Sequence, residues 1–118
     1  MNKPKAQGTR FETWLVNYFN DKWTGLYAAR LPELGLHDQG DIHLESRHTD
    51  TWTVEAKARA NLNPHLALHK AKQKADTTNV AVIWKRLTRK QGNTRRTPTG
   101  EPIIVILDLD TYTRLITR

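Results

Sequence analysis

Asp41, Glu55 and Lys57 are the residues of this chain whose types and spacing could do chemistry together. Asp41–Glu45 and Thr51–Lys57 alternate apolar and polar residues, and the polar stretch Ser46–Asp50 lies between them, as in a β-hairpin. Closing Glu45 onto Thr51 sets Leu44 beside Trp52, Ile42 beside Val54 and Asp41 beside Glu55, with each apolar pair on one face. Two carboxylates so placed repel each other and call for a shared proton or a cation. Such oxygen donors suit Mg2+ or Mn2+, which take one or two carboxylates and leave other positions to water and phosphate. Lys57 shares the face of Glu55, close enough to orient or deprotonate a water that the metal acidifies for in-line attack on a phosphodiester. The bland alternative is the solvated face of an ordinary hairpin, with Glu55 and Lys57 salt-bridged.

The charge distribution fits a phosphodiester partner. Net charge is +7; residues 1–50 carry 6 Lys/Arg against 7 Asp/Glu, whereas residues 51–118 carry 13 against 5. A basic half of this kind points to a polyanion, usually nucleic acid. The densest positive patch is Lys85, Arg86, Arg89, Lys90, Arg95 and Arg96, an acid-free stretch with Gly92 inside it. It reads as an arm that grips DNA phosphates, a field that Arg10, Arg59, Lys70 and Lys74 extend. With no cysteine, disulfides and thiolate metal sites are excluded. No apolar run is long enough to cross a bilayer, and no apolar segment follows Met1–Lys5, so a soluble, cytoplasmic protein without a membrane partner is expected. His65 and His69 have zinc-ligand spacing but lack the glutamate of the protease motif, and they read as exposed residues near a DNA-facing surface. His43 reads as a hairpin surface position.

The elements that must hold the three residues are legible around them. Phe11, Trp14, Leu15, Tyr18 and Phe19 form the stripe of a core-facing helix, with Thr9 and Glu12 at capping-box spacing after Gly8. Residues 1–6 read as a flexible tail. Gly25 ends the helix, Leu26–Leu31 reads as a strand, and Pro32–Gly40 as a turn-rich loop. Asn63-Pro64 opens a second helix running to about Asp76, with Ala67, Leu68, Ala71 and Ala75 as its packing stripe. Val80–Trp84 and Ile103–Leu107 read as inner strands, joined by a long basic loop over residues 87–101. Leu109, Tyr112, Leu115 and Ile116 mark a terminal helix, with Asp108 and Asp110 as caps. The order α-β-β-β-α-β-β-α over residues 1–118 predicts a single α/β domain, a central mixed sheet flanked by helices.

Gly40-Asp41 followed by Glu55-Ala56-Lys57 resembles the G/P-D…(D/E)-x-K signature of the PD-(D/E)XK nuclease superfamily. Gly8-Thr9-Arg10-Phe11-Glu12 and the helix-strand order look like its Holliday-junction-resolvase branch, particularly the short phage-encoded members. The resemblance implies a restriction-endonuclease-like fold and a Mg2+- or Mn2+-dependent DNA endonuclease, usually a homodimer, acting on branched DNA. It implies Asp41, Glu55 and the backbone carbonyl of Ala56 as metal ligands and Lys57 as the residue positioning the water. Glu12 would complete the acidic cluster, and Gln73 would reach the site from the second helix. A duplex nicking, repair or restriction-type nuclease of the same superfamily is the nearest alternative, and a non-catalytic basic DNA-binding protein the more distant one.

Overall fold

In the computed structural model, which describes residues 3–89 and 96–117, the stripe of the first helix meets the sheet in part, since its Trp14 is 47% exposed and stacks on Tyr18 instead. Phe11 and Leu15 of α1 (Lys3–Lys22) are buried, with Val16 and Phe19 packed beside them. The helix starts earlier than its capping signal suggests, however. It is already formed at Lys3, so the expected tail is helical from that residue and Thr9 lies inside the helix instead of capping it. Pro4 explains the difference, because proline is well tolerated in a first turn, where its missing N–H is not needed.

The chain continues through β1 (Leu26–Arg30), a 3-10 turn (Pro32–Leu34), β2 (Ile42–Ser46), β3 (Trp52–Arg59), α2 (Pro64–Lys74) and β4 (Asn79–Arg89). It ends with β5 (Arg96–Pro98), β6 (Ile104–Ile106) and α3 (Leu109–Ile116). The strands form one mixed sheet in the order β1-β2-β3-β4, antiparallel except for the β3–β4 pair, which α2 connects. β6 pairs with the middle of β4, and β5 with its end. The hairpin register is the one read from the sequence, Ile42 opposite Val54 and Leu44 opposite Trp52.

Alternation along the central strands splits the core into two layers. Ile42, Leu44, Trp52, Val54, Ala56, Ala81 and Ile83 pack with Phe11 and Leu15 in one cluster. Val80 and Val82 pack on Ala67 and Ala71 of α2 in the other. Small residues let α2 approach closely, and Asn63 caps it by accepting from the Leu66 N–H at 3.2 Å. Among the described residues no helix is long and apolar enough to cross a membrane.

Two further expectations are corrected. The span 87–101 is not all loop: β4 runs on to Arg89 and pairs there with β5, Leu87 opposite Pro98 and Arg89 opposite Arg96. This adds a strand to the expected order; the alternating Leu, Thr and Arg residues carry too little apolar signal to show it. The run Ile103–Leu107 yields only the short β6, paired to β4 alone, with Val105 57% exposed. An apolar run by itself does not separate an inner strand from an edge.

The opposite edge is closed by a side chain. Asn20 of α1 donates from Nδ2 to the Ala28 carbonyl at 2.9 Å and accepts from the Ala28 N–H at 2.7 Å, standing in for a missing neighbour strand. Asn20→Ala leaves both groups without that partner. It should lower the unfolding free energy by about 1–3 kcal/mol in urea titrations. A change below a few tenths would mean that water replaces the amide without cost.

Candidate active site

The first helix, the hairpin and the second helix converge where β3 outruns β2. β2 begins at Ile42, opposite Val54, so among the described residues no strand pairs with Ala56–Arg59 on that side and their edge opens into a notch. Asp41 stands at its corner. Its carbonyl accepts from the Leu31 N–H at 2.9 Å, and its Oδ2 accepts from the Ala56 N–H at 2.8 Å. One residue is thereby tied to both neighbouring segments. Burial, reinforced by the charges of Glu55 and Glu12, pushes the Asp41 carboxyl up to about 6, against the opposing effect of the Ala56 hydrogen bond.

Gly40 lets this corner form. Its φ of +137° disfavours any side chain, and a Cβ would stand 2.6 Å from Thr53 Cγ2 and 3.7 Å from Glu55 Oε2.

Glu55 is only 5% exposed. Its Oε1 accepts from Lys74 Nζ at 2.9 Å, with Lys57 Nζ 3.6 Å away. Its Oε2 is buried and has no hydrogen-bond partner among the described residues. An unmatched buried carboxylate oxygen is costly to fold, and a cation held beside it would offset that cost.

Glu12 enters from α1. Its Oε1 accepts from Arg30 Nε and Nη2, both at 3.3 Å, and Arg30 also reaches Glu33. Burial raises the Glu12 carboxyl above its ordinary value, with the Arg30 guanidinium opposing and the Glu55 and Glu33 charges adding to the rise. The competing capping role is absent, because Thr9 is not a cap.

Two adjoining depressions share Glu55, Lys57, Arg59 and Asn61 as a common wall. One, of about 450 Å³, is lined by Gly8, Glu12, Asp41 and Ala56 on the α1 side. The other, of about 600 Å³, lies against α2 and is lined by Leu62, Leu66, Lys70 and Lys74. Carboxylates gather in the first and lysines in the second, an arrangement that can hold a cation beside an anion. No family model matches the chain, and no match was found among curated proteins or solved structures.

The structure brings Glu12, Asp41, Glu55, Ala56 and Lys57 together, and leaves Gln73 out. Gln73 is exposed and lines neither depression; Lys74 takes the place expected of it. Successive helical residues point about 100° apart, and Ala67, Lys70, Ala71 and Lys74 share the face turned to Glu55. Partial burial pulls the Lys74 ammonium down, but its hydrogen bond to Glu55 and the charges of Glu55 and Asp41 hold it above the ordinary lysine value. Sequence reasoning placed Lys74 in the DNA-binding field and missed Arg30 altogether.

Of the other expected DNA contacts, Arg59 and Lys70 border the depressions, Arg10 is exposed on α1, and Arg86 pairs with Glu101 at 3.3 Å. Arg89 and Arg96 occupy paired positions at the β4–β5 end, while Lys90 and Arg95 lie outside the described residues. His65 and His69 are exposed on α2, and His43 Nε2 lies 3.6 Å from Glu45 Oε1, away from the notch lining. Asp108 does cap α3, accepting from the Thr111 N–H at 3.3 Å, and Asp110 follows in the first turn.

Among the described residues no three carboxylate or imidazole groups converge into a complete protein-built metal cage. The donor set is instead a pair of hard oxygens, Asp41 and Glu55, opening onto a depression with room for water. That is the pattern Mg2+ takes when substrate phosphate completes its shell.

Proposed function

We propose that this protein is a Mg2+- or Mn2+-dependent endonuclease of the restriction-endonuclease-like, PD-(D/E)XK type that hydrolyses DNA phosphodiesters, with branched DNA as its substrate. The observation that carries the reading is the buried Glu55, one of whose oxygens has no partner among the described residues, beside the partly buried Asp41. A purely DNA-binding protein has no use for a buried carboxylate with a second one beside it in the middle of its basic surface.

Asp41 and Glu55 would hold the metal, with the Ala56 carbonyl as the backbone ligand. A bound divalent cation supplies positive charge for the phosphate and acidifies a water as nucleophile. Lys57 stays within 3.6 Å of Glu55 and places an ammonium at the wall shared by both depressions, where it orients the water and offsets charge developing on the phosphate. Ala56 fixes Asp41 through its N–H, and Arg30 fixes Glu12, so the acidic cluster is set in position before any substrate arrives. Arg59 and Lys70 attract and seat the DNA backbone.

Paired cuts across a junction need two such sites, which makes a homodimer part of the proposal. Exposed apolar residues that a second copy could cover include Val105 of β6 and Leu109, Tyr112 and Ile116 of α3. Residues 103–117 carry Asp108, Asp110 and Arg114, so this face can meet its twin without setting positive charge against positive charge.

Cleavage of a four-way junction and of linear duplex of matched sequence, each with Mg2+ or with EDTA, tests the reading. Mg2+-dependent product from the junction at a rate at least about tenfold above duplex is the expected result, since shape readout rather than base contacts would set the preference. Equal rates would favour a duplex nuclease of the same chemistry. No cleavage of either substrate with Mg2+ or Mn2+ would overturn the assignment.

A further inference from the structure

Glu55 receives two lysines, and they are not equivalent. Lys57 comes from the same strand, is 24% exposed along its side chain, and stays 3.6 Å from Oε1. Lys74 comes from the last turn of α2. Its side chain is 40% exposed, yet its Nζ reaches inward to 2.9 Å from an oxygen of a carboxylate that is itself 7% exposed. Its stem lies at the rim of the α2-side depression and its head occupies the buried carboxylate.

Charge limits what else this arrangement can hold. Glu12, Asp41 and Glu55 face Arg30, Lys57 and Lys74, with the exposed Glu33 also on Arg30. A divalent cation entering with all three cations in place turns the cluster net positive, and an ammonium and a dication on the same carboxylate repel each other. Lys74 has the exposure and the long stem to leave. Lys70 and Arg59 already line the depression it would enter.

We propose that Lys74 is the exchangeable counter-ion of this site: it holds Glu55 while the metal is absent, yields the carboxylate to Mg2+ or Mn2+, and then binds a phosphate of the DNA in the α2-side depression. The inference rests on the nuclease reading and adds to it a substrate-contacting residue with two positions. It also gives the lysine a function beyond general DNA attraction. Metal and substrate then arrive as a matched set, because the phosphate supplies the anion that the displaced ammonium needs.

The test is Mn2+ titration by calorimetry, without DNA, on wild type, Lys74→Met and Lys57→Met, followed by single-turnover cleavage at saturating Mg2+. Methionine keeps the stem and removes the charge. Lys74→Met should bind Mn2+ about tenfold tighter than wild type, the loss of one competing charge-assisted hydrogen bond. The same variant should cleave about tenfold or more slowly once metal is saturating, as expected for a lost phosphate contact. Lys57→Met should lose cleavage without the same gain in Mn2+ affinity. Lys74→Gln replaces Lys74→Met should the latter fail to fold. Unchanged or weaker Mn2+ binding in the folded Lys74 variant overturns the exchange while leaving the nuclease reading intact. A wild-type protein with no Mn2+ site overturns both.

Discussion

In metal-free buffer at pH 7.5, Asp41→Asn should be more stable than wild type by about 1–3 kcal/mol, while losing Mn2+ binding and about 10³-fold or more of its cleavage rate. The stability gain follows from the raised carboxyl. With a folded value of about 6 against an ordinary 3.8, the native state binds more protons than the unfolded state between those limits. Stability therefore falls as pH rises through that window, and the penalty is complete above about 6. Asparagine keeps an acceptor for the Ala56 N–H and removes the charge that faces Glu55. The advantage of Asp41→Asn should shrink as pH falls from 7.5 to 4.5, because protonation relieves wild type of the same repulsion. Glu12, also raised, titrates in both proteins, and its repulsion with Asp41 adds to the same trend, because it too is relieved by protonation or by Asp41→Asn. Thermal melts across this range check the claim. A variant that is less stable than wild type, by an amount independent of pH, would show that Asp41 is an ordinary structural carboxylate.

The second large effect is on folding. Gly40→Ala must place a Cβ 2.6 Å from Thr53 Cγ2 at a φ of +137°. Strain at such a backbone angle and overpacking each cost about 1–3 kcal/mol, so a loss of about 2–6 kcal/mol is expected in chemical denaturation. The two parts can be separated. Serine at 53 lacks the methyl group that clashes, so Gly40→Ala with Thr53→Ser should recover part of the loss and leave the backbone part. Because residue 40 aims Asp41, the single variant should also bind Mn2+ more weakly. Wild-type stability in Gly40→Ala would show that the turn relaxes freely and does not hold the site.

The central pair was legible because a hairpin admits few registers. A slip of one residue would have turned Ile42, Val54 and Trp52 out of the core, so apolar matching alone set Asp41 beside Glu55. The second helix was equally readable from Asn63, Pro64 and the alanine stripe. That stripe also held a signal for Lys74: continuing Ala67 and Ala71 along their face leads to position 74, not to Gln73. Arg30 is different, since its contact with Glu12 spans 18 residues of sequence and leaves no local trace. Thr9 and Glu12 matched a capping pattern by spacing alone, while Pro4 carried the competing start signal. The edge position of β6 depends on which strands pair with β4, and that is decided by tertiary packing. The unpartnered oxygen of Glu55, on which the functional reading turns, emerges only from the packed structure.

Single-turnover cleavage by Glu55→Ala tests the nuclease site most directly. The assay uses a four-way junction with Mg2+ in excess, and circular dichroism establishes that the variant is folded. On the proposed reading Glu55→Ala removes the buried ligand that would hold the metal and the partner of Lys57, so product formation should fall by about 10³-fold or more. DNA binding should be largely retained, because Arg59, Lys70 and the other basic residues proposed to attract the backbone are unchanged. Cleavage at the wild-type rate by folded Glu55→Ala would contradict the account.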